Sequence, residues 1–155
     1  MGKEVERKFL VSGTAWRALA EADIRILQFY LATAPGRTVR IRISDGASAR
    51  LTLKFGSGMR ERDEFEYPIP LEDAEELVEF AVGRVIEKTR HHLALGPGEW
   101  TVDEFTGDND GLVLAEIELG PDESLGAPPS WLGQDVTEDD RYANANLQVH
   151  PYTSW

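Results

Sequence analysis

Charged side chains recur at every second position along much of this chain. Glu4, Glu6 and Lys8 alternate with Val5, Arg7 and Phe9. Arg40 and Arg42 share one parity, and Val39, Ile41 and Ile43 take the other. The same split sets Arg50, Thr52 and Lys54 against Leu51, Leu53 and Phe55. It sets Glu64 and Glu66 against Phe65 and Tyr67, and Glu116 and Glu118 against Ala115, Ile117 and Leu119. Lys88 and Arg90 fall together, as do Thr101 and Asp103. Lysines and arginines gathered on one surface bind phosphate oxygens, arginine with two parallel hydrogen bonds. Carboxylates without cysteine or paired histidine make a hard oxygen site, suited to Mg2+ or Mn2+. Both sets around one cavity describe a metal-dependent phosphoryl-transfer site. The cations would hold a polyphosphate, and the acids would hold the metal that bridges it.

A period of two is that of strands, whose successive side chains point to opposite faces. It predicts eight strands, at about 3–11, 24–32, 38–44, 48–55, 62–69, 84–94, 99–106 and 112–120. Turn residues separate them, including Asp45-Gly46, Gly56-Ser57-Gly58 and Gly96-Pro97-Gly98. Helical spacing appears at 14–22 and at 71–83, where Leu71, Ala74, Leu77, Val78, Ala81 and Val82 form one stripe. A third short helix is expected at 138–147, with Thr137 and Asp140 placed as a capping box. The Pro- and Gly-rich stretch 121–136 reads as a loop.

Two architectures satisfy this parity. A sandwich would leave the charged faces in solvent and bury the apolar ones. A closed barrel would turn the charged faces inward and let the helices cover the apolar exterior, and eight strands suffice for closure. An outer-membrane barrel also has a polar lumen. Arg7, Glu87, His91 and Glu104 on the outer parity argue against that form.

The composition narrows the partners. The 155 residues read as one domain, 1–155. Lys+Arg 16 against Asp+Glu 28 leaves a net charge of −12, which excludes a broad nucleic-acid or anionic-membrane surface. No cysteine is present for disulfides or thiolate sites. No apolar run approaches the ~18 residues of a membrane-spanning helix, and the N-terminus has no export segment, so a cytoplasmic protein is expected. Its partner is expected to be a small anion, gripped by the few cations gathered in one place.

Glu4-Val5-Glu6-Arg7-Lys8 is the Glu-x-Glu-x-Lys signature of the CYTH superfamily, the triphosphate tunnel metalloenzymes. It is followed in order by Arg40-Ile41-Arg42, Leu53-Lys54, Glu64-Phe65-Glu66-Tyr67, Glu87-Lys88-Thr89-Arg90, Val102-Asp103-Glu104-Phe105 and Glu116-Ile117-Glu118. With the tail from Trp131 to Tyr142, the chain resembles the short bacterial inorganic triphosphatases over nearly its whole length. The resemblance implies a mainly β, α+β fold, an eight-stranded antiparallel closed barrel or tunnel with a charged lumen and a few flanking helices. It implies metal-side acids at Glu4, Glu6, Asp103, Glu116 and Glu118. It implies triphosphate-binding cations at Lys8, Arg40, Arg42, Lys54, Lys88 and Arg90. Catalysis is expected to centre on Lys8, Glu4, Glu6 and Glu118. The implied activity is hydrolysis of tripolyphosphate to pyrophosphate and phosphate with Mg2+ or Mn2+. The superfamily also hosts adenylyl cyclases and nucleoside and thiamine triphosphatases, and a non-catalytic polyphosphate-binding module is a further alternative.

Other residues carry weaker signals. Adjacent His91 and His92 point to opposite faces, cannot form one metal pair, and read as structural or surface groups. Tyr30 shares the parity of Gln28 and reads as a core or rim residue more readily than a lumen one. Glu64 and Glu66 either orient neighbouring cations or help to place metal. Arg141 either closes one end of the tunnel or pairs with Asp139 or Asp140 at the surface. Three short helices leave much of the apolar exterior uncovered, which points to a homodimer.

Overall fold

Antiparallel pairing carries the alternating segments round into a ring. A computed structural model describes residues 2–56 and 61–155, the side chains of residues 2–4 and 61 excepted. The strands are β1 (Gly2–Val11), β2 (Ala20–Ala34), β3 (Arg37–Ser44), β4 (Ser48–Phe55), β5 (Glu61–Ile69), β6 (Val82–Leu93), β7 (Glu99–Thr106), β8 (Val113–Leu119) and β9 (Leu132–Asp135). Their order is β5-β4-β3-β2-β6-β7-β8-β1-β9, and β5 pairs in addition with β1. That last ladder, Gly2 opposite Glu64 through Val5 opposite Glu61, joins the first eight strands end to end. The Ser57-Gly58 part of the expected turn lies outside the described residues.

Eight strands were expected, and nine form. β9 lies inside the stretch read as a loop. It pairs with the far end of β1, at Phe9 and Val11, beyond the reach of β5. Gly133 makes this approach feasible, because a Cβ there would stand 2.9 Å from the Leu10 carbonyl oxygen. The β3–β4 loop is three residues, Asp45 to Ala47; Asp45 and Gly46 both take positive φ, and the Ala47 N–H closes the turn on the Ser44 carbonyl.

The helices are shorter than helical spacing predicts, because the strand ladders claim the flanking backbone. Residues Ala15–Leu19 form a single 3-10 turn, and β2 pairing begins at once with Ala20 opposite Leu93. Helix α1 runs Leu71–Leu77 and tightens into a 3-10 turn at Val78–Phe80. The C-terminal segment is a 3-10 turn, Asp140–Tyr142, followed by α2, Asn144–Leu147. Thr137 does not form the expected capping box. Its hydroxyl accepts the backbone N–H of Lys8, and Asp139 caps the turn by accepting from the Arg141 N–H. No helix among the described residues is long and apolar enough to cross a membrane.

The apolar parity faces outward and is covered in two places. Trp16 lies over Phe9, Leu93, Trp100, Val102, Ala115 and Ile117, with Trp131 closing the same cluster. Ala74 of α1 seals Phe29, Ile41 and Ala49 on the other side. A third cluster lies on the inner parity. Tyr30, Ile86, Phe105 and Leu114 pack there against Val136, Tyr142 and Leu147 of the C-terminal segment. This filling turns part of the expected tunnel into solid core, and what remains is a cavity.

The C-terminal segment is seated by a tight contact at Gly83, which has φ +72° and whose Cβ would stand 2.8 Å from the Gln148 carbonyl oxygen. That oxygen already accepts the N–H of Arg84. Gly83→Ala should therefore lower stability by about 1–3 kcal/mol, read as a shifted urea midpoint. An unshifted midpoint would show that the segment is not held there.

Candidate active site

The inner parity that escapes the apolar filling lines a cavity of about 360 Å³. Lys8, Arg40, Arg42, Lys54, Arg62 and Arg90 line it, with Glu6, Glu64, Glu66, Glu99, Glu116 and Glu118. Among the described lining residues cations and acids are equal in number, whereas the whole chain has 28 acids to 16 cations. The cavity is thus where cations are concentrated in an otherwise acidic protein. Tyr30 and His92 are the rings among its described lining residues, and Asn144 enters it from α2.

Register decides which charges meet. Lys8 lies opposite Glu116, and its Nζ stands 3.5 Å from that carboxylate. The same ammonium donates to the Tyr142 carbonyl at 3.3 Å, tying the site to the C-terminal segment. Lys54 lies opposite Glu64, 3.8 Å away. Glu66 accepts from Thr52 at 3.0 Å and from Arg50 at 3.4 Å, and Thr52 accepts from Arg40. Glu64 and Glu66 therefore orient neighbouring cations, one of the two roles open for them. Arg42 Nε donates to Gln28 Oε1 at 3.3 Å. Burial, then repulsion from Arg40 and Arg90, lowers the Arg42 guanidinium to about 9.

Asp103 and Lys88 do not line the cavity. Arg90 grips Asp103 through two parallel bonds of 2.8 Å, and Lys88 Nζ binds the same carboxylate at 2.8 Å. Arg90 also reaches Glu116 at 3.2 Å. Burial would raise the Asp103 carboxyl, but Arg90 and Lys88 outweigh it and hold it far below the usual range. Arg90 is raised in turn, because Asp103 more than offsets its burial. Lys88 fares differently. Burial exceeds what its shared partner Asp103 returns, Arg90 repels it, and its ammonium falls to about 7. The resemblance implied Asp103 as a metal-side acid and Lys88 as a triphosphate-binding cation; here both are engaged with Arg90 in a buried triad. The reason is register: Asp103 lies directly opposite Arg90.

The acids are not equivalent. Burial would raise Glu6, but Lys54, Lys8, Arg62 and Arg90 pull its carboxyl down to about 2. Glu118 lies opposite both Glu6 and Glu99. Burial, then repulsion from Glu64, Glu6 and Glu99, raises its carboxyl. A group of oxygen donors with surplus negative charge suits a hard divalent cation. Among the described residues, no three acids or histidines converge closely enough to hold an ion by themselves. The side chain of Glu4 lies outside the described residues, though its backbone pairs with Arg62.

The two histidines separate as alternation requires. His91 packs on Trp16 and contacts Glu104 at 2.7 Å on the outer face, while His92 lines the cavity. His92, Glu99, Arg62 and Asn144 are wall residues that the charge parity did not single out. The first three share an inner parity with recognised residues, and that was the available signal. Tyr30 both lines the cavity and packs in its apolar filling. Arg141 pairs with Asp139 at 2.7 Å on the surface, so it does not close the site.

The comparisons agree with this geometry. The CYTH domain model matches residues 2–146. An inorganic triphosphatase of Acetivibrio thermocellus is 41% identical over 156 residues, covering 100% of this chain and 99% of its own. An inorganic triphosphatase of Nitrosomonas europaea is 36% identical, covering 94% and 97%. A crystal structure of an inorganic triphosphatase superposes with a TM-score of 0.68 at 33% identity, over 96% of each chain.

Glu118 makes a stability prediction with a definite sign. A carboxyl raised above its unfolded value of 4.5 supports the fold at low pH and loses that support as pH rises through the folded value. Glu118→Gln should therefore leave stability unchanged below about pH 4, and raise it increasingly toward pH ~8 in metal-free solution. Urea unfolding across that range measures it. A variant less stable than wild type at the upper end would contradict the crowding.

Proposed function

Since the chain belongs to the CYTH domain family, we propose that this cavity hydrolyses inorganic triphosphate to pyrophosphate and phosphate. The observation that carries the reading is the wall itself, a mainly polar surface on which cations and acids face one another. Arg40 Nε, buried at this wall, has no acceptor of its own among the described residues. A linear triphosphate offers acceptor oxygens and nothing else.

Each wall group has a task in this reaction. Arg40, Arg42, Lys54 and Arg90 would hold the phosphate oxygens, with Arg62 extending the row. Lys8, fixed by Glu116 and the Tyr142 carbonyl, would offset the charge that develops as the phosphoanhydride P–O bond breaks and water adds to phosphorus. Glu6, Glu116 and Glu118, joined by Glu4, would hold a divalent cation. Bound Mg2+ or Mn2+ supplies charge neutralisation and polarisation of the phosphoryl group. The apolar filling beside the cavity gives it one wall of low polarity, and charges beside such a wall interact more strongly than in open water.

Phosphate release from tripolyphosphate, ATP and thiamine triphosphate tests the reading directly. Tripolyphosphate should turn over fastest. Cyclic AMP formed from ATP would give the site to a cyclase, and no turnover of any of the three would leave a binding module. Arg42→Ala and Lys54→Ala should each lower kcat/KM for tripolyphosphate by about 1.5–3 kcal/mol, the worth of a charge-assisted contact. Unchanged kinetics in both would place these cations outside the site.

Metal removal gives an independent test. Turnover should cease in chelator and return with Mg2+ or Mn2+. Glu6→Gln and Glu118→Gln should fold yet lose most activity, because the amide keeps the shape and removes the charge. The metal should also raise the melting temperature of the wild-type chain, since it binds the assembled acids and not the dispersed chain. Full activity in chelator, or a wild-type metal response in both variants, would overturn the assignment.

A further inference from the structure

We propose that Asp103 is a positioning residue that holds Arg90 in its receiving orientation, and does not ligate a metal. The ligand identity rests on the triphosphatase reading above; the geometry does not. Arg90 stands on the cavity wall, and Asp103 does not. The Asp103 side chain is 1% exposed. Its Oδ1 accepts from Arg90 Nε at 2.8 Å, and its Oδ2 accepts from Arg90 Nη2 at 2.8 Å. Lys88 Nζ, itself wholly buried, takes Oδ2 from a third direction at 2.8 Å.

A carboxylate has about four lone-pair sites, and three charged donors already occupy this one. The fork-to-fork pairing fixes the plane of the guanidinium as well as its distance. Among the described residues, the outward contact left to Arg90 is Glu116 at 3.2 Å, on the wall that faces the cavity. Turning Asp103 toward a metal would leave Arg90 with Glu116 alone and take from wholly buried Lys88 its ion-pair partner, a costly change for a buried charge. Lys88 would keep Asn144 Oδ1 at 3.4 Å and the face of Phe105 at 5.2 Å, neither of them charged. Asp103 therefore serves the reaction through Arg90, with Lys88 locking the carboxylate in place.

A double-mutant cycle with D103N and R90A separates positioning from ligation. In the wild-type background D103N should lower kcat/KM for tripolyphosphate by about 100-fold, the loss that a misplacement of about 1 Å produces. In the R90A background the same substitution should cost less than about tenfold, because the residue it orients is gone. Mn2+ affinity, measured by calorimetry without substrate, should be unchanged by D103N and weakened by E118Q. Equal losses in both backgrounds, or Mn2+ affinity lost in D103N, would overturn the proposal. Should D103N fail to fold alone, R90A/D103N removes one charge of each sign and is compared with R90A for Mn2+ affinity. A loss there would again make Asp103 a ligand, and none would support positioning. Failure of the hydrolase reading shows separately, as a wild-type chain that releases no phosphate. The same cycle is then read by calorimetric binding of tripolyphosphate.

Discussion

The interior of this barrel is charged, and strand register steadies it by setting several of its charges directly opposite a counter-charge. Moving an ion out of water is costly unless a partner and further hydrogen bonds replace the lost hydration. Here the ladders supply those partners. Lys8 faces Glu116, Lys54 faces Glu64, and Arg90 faces Asp103. Like charges also meet: Glu118 faces acids on both neighbouring strands, and Arg42 lies opposite Arg50. The cavity wall therefore differs in charge from one region to another.

That arrangement also explains where the hydrophobic core had to go. With the inner faces charged, apolar side chains pack outside the ring, and each outer cluster needs its own cover. Trp16 and Trp131 supply one, and α1 supplies the other. The remaining apolar residues turn inward at the positions where the charges stop. They meet the C-terminal segment, which is consequently part of the site and not an appendage. Lys8 binds its Tyr142 carbonyl, Lys88 binds its Asn144, and Asn144 lines the cavity.

The cost of this design is concentrated beneath the wall. Lys88, Arg90 and Asp103 form a buried triad in which two cations share one carboxylate. Such a group contributes little net stability, since desolvation offsets much of the attraction. What it supplies is direction: a guanidinium held by two parallel bonds cannot swing. A wall that meets a polyanion benefits more from fixed charges than from many charges, because reorganisation then costs little when substrate arrives.

Much of this was legible in the amino-acid order, and the limit is physical. Alternation is a local property, so it placed β3, β4 and β7 within a residue of their observed bounds. It also grouped the correct side chains on common faces. The family resemblance, carried by motifs from Glu4 to Glu118, indicated the barrel where parity alone allowed a sandwich. Helical spacing overran the helices at 14–22 and 71–83, because backbone hydrogen bonds to a distant strand outcompete a marginal helix at its ends. β9 was hidden because its signal is a vacant stretch of β1 rather than anything in Leu132–Asp135 itself. Sequence alone, then, determined which residues share a face and what charge each face carries. Whether that face turns inward, which acid meets which cation, and that Asp103 meets Arg90 were decided by closure and register. Those depend on pairings between residues far apart in the chain, and no local pattern encodes them.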